Sequence, residues 1–186
     1  MKTPGMKNDD MNDASCEKHL RIYEYSHLQE FVDNLPYMIM IVLGTAIFLT
    51  GIEDTFWRFG TAGLYFLYGI AGALWIIWFV CPYCHFFDTS SCPCGYGRIA
   101  AKLQTKKDDR LFRKKFKRHI PVIFPLWAAP TVAGGIFLLG DYSGTMLALV
   151  ILFVVDSFLI LPLVSKKYGC AHCPQKDMCP WMHQKG

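Results

Sequence analysis

Histidine, lysine and arginine are absent from every long apolar run of this chain. No two runs can therefore hold a haem b between facing imidazoles. No nucleotide-binding glycine fingerprint, P-loop or nucleophile triad is recognisable, which argues against nucleotide-dependent or nucleophilic catalysis. Charge is scarce overall. The 186 residues are 18% charged and 53% hydrophobic, with mean hydropathy +0.24. That is too apolar for an ordinary soluble domain. The N-terminus, MKTPGMKNDDMNDASCEKH, lacks the apolar core of a secretory signal, so the first apolar stretch is expected to be a transmembrane helix.

The apolar residues fall into four stretches: Leu35–Ile52, Phe59–Val80, Ile120–Gly140 and Tyr142–Val164. Each has about the ~20 residues a helix needs to cross a bilayer. They are apolar all round, whereas buried helices of a soluble bundle would carry polar outer faces. The first three hold no charge and the fourth holds one, Asp156.

Lysine and arginine cluster elsewhere. Ten lie in residues 81–119, four in 1–34 and four in the tail, against a lone Arg58 in the two remaining connections. With four spans, the three basic segments share one side, which the positive-inside rule makes the cytoplasm. The net charge of +4 is thus a topology signal and gives no pointer to nucleic acid.

All eight cysteines fall on that side: Cys16, Cys81, Cys84, Cys92, Cys94, Cys170, Cys173 and Cys179. A reducing compartment argues against a disulfide scaffold. The segment CPYCHFF (81–87) matches a glutaredoxin dithiol, a c-type haem attachment and half of a metal site. Covalent haem attachment belongs to the outer side. A glutaredoxin dithiol needs a strand before it and a helix N-terminus behind it, whereas Cys81 follows a transmembrane helix. A metal or cluster site remains.

The motif recurs. Cys81, Cys84 and Cys92 form C-x2-C-x7-C-P, and Cys170, Cys173 and Cys179 form C-x2-C-x5-C-P. Each triplet follows a pair of apolar stretches, so the halves read as parallel repeats. Cys-x2-Cys sets two soft sulphurs on one turn, a third closes the loop, and the following proline ends any helix and shields the site. The Cys-Pro endings, and the lack of a second Cys-x2-Cys pair in either set, favour an iron–sulphur cluster over a zinc ribbon. Zinc is the alternative, with His85, His172 or His183 as further ligands. Two triplets supply six sulphurs, and Cys94 and Cys16 bring the total to eight.

W75-I-I-W78-F-V-C81, C92-P-C-G-Y-G-R98 and C179-P-W together resemble membrane ferredoxins of the NosR/NapH type. The resemblance spans the architecture and about thirty residues. It implies electron transfer through cytoplasm-facing iron–sulphur motifs and names no substrate. The C-x3-C-P spacing of that family does not occur here.

The expected fold is an all-α integral membrane protein. Four transmembrane helices form two tandem hairpins, each followed by a cytoplasmic cysteine motif, with interfacial amphipathic helices added. Its segments are a tail and interfacial helix (1–34), hairpin 1 (35–80), a cysteine and basic loop (81–119), hairpin 2 (120–164) and a cysteine tail (165–186). Residues 20–35 read as an in-plane amphipathic helix, and Leu111, Phe112 and Phe116 among their cations as a basic helix on anionic lipid. Gly60, Gly63, Gly69 and Gly72 are expected at helix contacts. Asp156 is a functional candidate, or else a neutral acid bonded to Tyr65, Tyr68 or Thr131. The functional expectation is an inner-membrane electron-transfer or accessory subunit, both termini cytoplasmic, partnered by lipid and by other subunits of a redox complex, and not itself a complete enzyme. It would bind 4Fe-4S cluster(s) through Cys81, Cys84, Cys92, Cys94, Cys170, Cys173 and Cys179. A zinc-stapled assembly subunit and a small transporter using Asp156 are the competing expectations.

Overall fold

The computed structural model describes residues 24–170, with the backbone alone for 168–170. Among these residues every regular element is helical. Helix α1 (His27–Gly51) and α2 (Thr55–Phe79) are joined by a three-residue connection, Ile52–Asp54, and Cys81–Tyr83 forms a 3₁₀ turn. After a loop come α3 (Tyr96–Leu103) and α4 (Phe112–His119), then α5 (Pro125–Gly140) and α6 (Gly144–Val155). The last helix continues through a π-helical turn (Asp156–Ile160), α7 (Leu161–Val164) and a second π-helical segment (Ser165–Cys170).

Four helical runs are long and apolar enough to cross a membrane: His27–Gly51, Thr55–Tyr83, Asp109–Gly140 and Gly144–Lys167. At most 33% of each apolar window is buried within the protein. The outer faces are apolar too, with Leu139 90% and Phe56 77% exposed. Surfaces of this kind need an apolar solvent, and the chain is a multi-pass membrane protein.

Helix α1 is central and packs on α2, α5 and α6. Met40, Ile41, Ile47, Tyr65, Leu126, Met146 and Phe153 form the buried core. The α1–α2 approach depends on small residues. A Cβ on Gly44 would stand 2.4 Å from the Tyr65 ring, and one on Gly69 2.7 Å from Ile41. Gly60 and Gly63 have nothing within 4 Å of a built Cβ, so the expected glycine contact face is confined to Gly69 and Gly72. The reason is angular: Ala62, Tyr65, Gly69 and Gly72 share the buried face of α2, and Gly60 and Gly63 lie on its opposite, exposed face.

Two expectations about boundaries change. The segment read as a separate in-plane helix (20–35) is, from His27 onward, the start of α1, which runs unbroken through Pro36. A capping box holds that start: Gln29 N–H donates to Ser26 Oγ (3.3 Å), and Ser26 N–H donates to Gln29 Oε1 (2.9 Å). The acid Asp156 has none of its expected partners. Tyr65 Oη donates to Leu126 O (2.9 Å), Tyr68 Oη to Val122 O, and Thr131 Oγ1 to Trp127 O (2.8 Å).

The Tyr65 bond repairs a proline defect. Pro130 sits inside α5 and has no N–H to offer Leu126 O, four residues back. Gly44 lets the Tyr65 ring pass α1 and cover that carbonyl. Tyr65→Phe should therefore cost about 2 kcal/mol, the usual penalty for a buried acceptor left alone. Pro130→Ala should remove most of that cost by restoring the helical donor. Unfolding in detergent of the two single variants and the double variant measures the coupling; strictly additive effects would break the link.

Candidate cysteine site

The loop between α2 and α3 begins where α2 ends. Pro82 sits in a 3₁₀ turn that brings Cys84 N–H to Cys81 O (3.0 Å). Cys81 packs with Ile77, Phe87 and Ala100 in a second small core. The chain then turns at Asp88, whose φ of 58° is a left-handed conformation that Asp tolerates. Asp88 N–H donates to Gly97 O (3.3 Å), tying the turn to α3.

Cys92 and Cys94 flank Pro93. Their sulphurs lie 3.9 Å apart, and Gly97 N–H donates to Cys92 Sγ (3.2 Å). Gly95, with φ of 71°, caps α3 in the left-handed region that favours glycine. The hydrogen bond between the two thiols, then backbone N–H donation from Gly97, Cys94 and Gly95, holds the Cys92 thiol down at about 7 against the opposing effect of burial. Cys94 moves the opposite way, raised first by that shared hydrogen bond and then by burial. The shared hydrogen bond and the backbone donors thus favour the charged form on Cys92 over Cys94. Cys81 is a further neighbour of Cys94. Tyr96, raised first by burial and then by Cys94, packs against the small core that holds Cys81.

Helix α1 clamps this loop. Tyr25 N–H donates to Ser90 O (3.1 Å), and Asn34 Nδ2 bridges Glu30 O (2.8 Å) and Cys94 O (3.0 Å). Arg98 Nη2 reaches both oxygens of the Glu30 carboxylate, whose side chain is 11% exposed against 35% for Arg98. Glu30, Asn34, Cys94 and Arg98 line a cleft of about 480 Å³. From the other side Gln104 Nε2 donates to Trp78 O (3.1 Å) and Lys107 N–H to Pro82 O (2.8 Å).

Arg98→Met would leave the nearly buried Glu30 carboxylate with only the exposed His27 imidazole beside it, Nδ1 3.4 Å from Oε2. Discounted for the exposed part of Arg98, the expected loss is about 2 kcal/mol. It should appear as faster hydrogen exchange at residues 90–98. Glu30→Leu combined with Arg98→Met should restore protection, because no lone charge remains. Unchanged exchange in Arg98→Met would remove the ion pair from the clamp.

Of the expected site residues, the structure gathers Cys81, Cys84, Cys92 and Cys94 at one end of α2, and no disulfide links them. Cys170 ends the last π-helical segment, with its side chain outside the description. Cys16, Cys173 and Cys179, with His172 and His183, lie outside the described residues. His85 Nδ1 stands 3.9 Å from Asp109 Oδ2. Among the described residues no three His, Cys, Asp or Glu side chains converge as a set that would hold a metal ion. The donor chemistry nevertheless fits a soft cation, since the thiols are sheltered and Cys92 Sγ accepts a backbone N–H as thiolate ligands do.

Sequence reasoning missed Glu30, Asn34, Gly97 and Arg98. Glu30 and Asn34 are four apart on α1, beside the apolar row of His27, Phe31 and Leu35, and read locally as an ordinary solvated face. The G-Y-G-R string beside Cys94 was the available signal. No protein-family model, curated protein or solved structure matches the chain.

Proposed function

We propose that the chain is an inner-membrane electron-transfer or accessory subunit of a redox complex, binding iron–sulphur cluster(s) through cytoplasm-facing cysteines. The carrying observation is the Cys92–Cys94 pair, 3.9 Å apart, with Gly97 N–H on the Cys92 sulphur. Backbone N–H bonds to cysteine sulphurs are among the levers that set cluster potentials. Cys81, Cys84, Cys92 and Cys94 would hold the group from this loop. Cys170, Cys173 and Cys179 would supply sulphurs from the second motif, with the two helix pairs as tandem hairpins. Such a cluster supplies one-electron chemistry. The chain's own part is to shelter the thiols, to favour the charged form on Cys92, and to leave Cys94 on a cleft.

Sidedness rests on charge. The basic segment from Lys102 to Arg118 is mostly exposed, and among the described residues none of its cations pairs with a carboxylate. Phe112 and Phe116 form a ring pair 5.6 Å apart on α4, which leads directly into the third span. Basic residues around an aromatic pair at a span's end suit an anionic inner leaflet. Both termini then lie in the cytoplasm.

One observation favours zinc and a structural role. His85, next to Cys84, has a carboxylate at Asp109 beside its Nδ1, the usual orienting partner of a zinc-binding imidazole. Anaerobic purification separates the readings. The expected product is brown, with iron and acid-labile sulphide in proportion and broad visible absorbance. Stoichiometric zinc in colourless protein would replace electron transfer with a stapled assembly subunit.

A further inference from the structure

The fourth span carries an acid that the cysteine site does not use. Asp156 is 3% exposed and Ser157 3% exposed. Asp156 Oδ2 and Ser157 Oγ are both buried without a hydrogen-bond partner among the described residues. Orphaned polar atoms on two successive buried residues are rare enough to need a reason.

Local backbone geometry supplies part of it. Asp156 begins the π-helical turn, where Leu161 N–H donates to Asp156 O, five residues back. Pro162 follows at once. It cannot donate to Phe158 O, and its ring would press on that carbonyl in a regular α-helix. Widening the helix relieves the clash and rotates Asp156 and Ser157 relative to the α-helical register. Single π turns of this kind recur at functional sites.

Among the described residues the surroundings contain no counter-charge. The turn packs against α1, α6 and α7. Helices α6 and α7 hold no titratable side chain, and those of α1 are His27, Glu30, Asp33 and Tyr37, all in its first three turns. Of these, Tyr37 Oη donates to Gly69 O (2.8 Å) and Glu30 is taken by Arg98. The hydroxyls of Tyr65, Tyr68 and Thr131 are spent on carbonyls of the third helical run. No lysine or arginine occurs in any of the four apolar stretches.

We infer that Asp156, seated with Ser157 on the π turn, is a proton-binding site inside the membrane. A carboxylate there would be a bare charge in hydrocarbon. Binding one proton to a carboxylate oxygen converts it to a neutral carboxylic acid, and Ser157 Oγ offers the adjacent hydrogen-bonding position. This site is independent of any metal at the cysteines.

The test is infrared spectroscopy of the full-length protein in lipid at neutral pH, wild type against Asp156→Asn. The expected result is a protonated-carboxyl stretching band, shifted in heavy water, present in wild type and lost in Asp156→Asn. Ser157→Ala should shift that band in frequency without abolishing it. Detergent chromatography and helix content of Asp156→Asn check that the fold survives. If that variant does not fold, Asp156→Glu, which keeps the acid, should retain a displaced band. A wild-type spectrum without the band overturns the proposal. So does a band that sodium chloride erases and choline chloride does not, which would make the site one for a metal cation.

Discussion

Gly97→Ala is expected to open the cysteine loop. A Cβ at this position would stand 2.4 Å from the backbone oxygen of Phe86 and 3.4 Å from Cys92 Cβ. A flexible side-chain tip could swing aside, but the Phe86 carbonyl is part of the turn that Thr89 Oγ1 also bonds (3.0 Å). The added methyl must therefore push α3 away from the 81–88 segment. Three bonds weaken together: Gly97 N–H to Cys92 Sγ, Asp88 N–H to Gly97 O, and the contact between the Cys92 and Cys94 sulphurs. Overpacking of this kind costs about 3 kcal/mol. The functional loss should be greater than the stability loss, because metal ligands tolerate little displacement. Metal content should fall about tenfold, by analogy with the loss of supporting groups around other sites. Gly63→Ala, which adds the same methyl to open space, should change nothing. Gly97→Ala protein with full metal content and unaltered spectra would show that the α3 contact does not shape the site.

The sequence makes some of this visible and hides the rest for a physical reason. Four long apolar runs with a single charge among them, Asp156, announce helices in an apolar solvent, because that property is local and additive along the chain. The cysteine spacings announce a thiol site on the same grounds. What is hidden is non-local. Pro130 was recognisable as a helix defect needing help, but Tyr65, 61 residues from Leu126, is found only once α2 lies beside α5. Glu30 and Arg98 are 68 residues apart, and although the G-Y-G-R string marks Arg98, nothing around Glu30 distinguishes it from a surface charge. Gly60 and Gly63 looked equivalent to Gly69 and Gly72, yet only the latter pair meets neighbouring side chains, because composition does not say which face of α2 makes the contact. The same limit applies to Asp156. Its sequence invited three hydroxyl partners, and the fold gives the two tyrosine hydroxyls to carbonyls of the third helical run and the Thr131 hydroxyl to its own helix four residues back.

Cys92 stands apart from the other thiols of its loop. Its sulphur accepts a backbone N–H and lies against Cys94, and these contacts favour its charged form while Cys94 is pushed the other way. A metal ligand must be deprotonated, so in the proposed site the thiol most readily charged, Cys92, would supply the first strong bond. Cys92→Ser should therefore be the most damaging single exchange in the loop. A serine hydroxyl keeps its proton at neutral pH and is a hard donor, poorly suited to iron–sulphur or zinc. The expected loss of bound metal is at least about tenfold, the lower end of the range known for weaker, outer-shell changes. Cys84→Ser and Cys173→Ser test whether the two motifs act together. If each motif completes the other, either exchange lowers total iron by more than one site's share and loosens both cysteine segments, since bound metal contributes to folding. Cys16→Ser should leave metal content unchanged, because it lies outside both triplets. A Cys84→Ser protein that keeps half its iron with an unaltered spectrum would make the two motifs independent. A Cys92→Ser protein that keeps all of it would move the first ligand to Cys81 or Cys84, and the Gly97 bond to sulphur would then be a feature of loop packing alone.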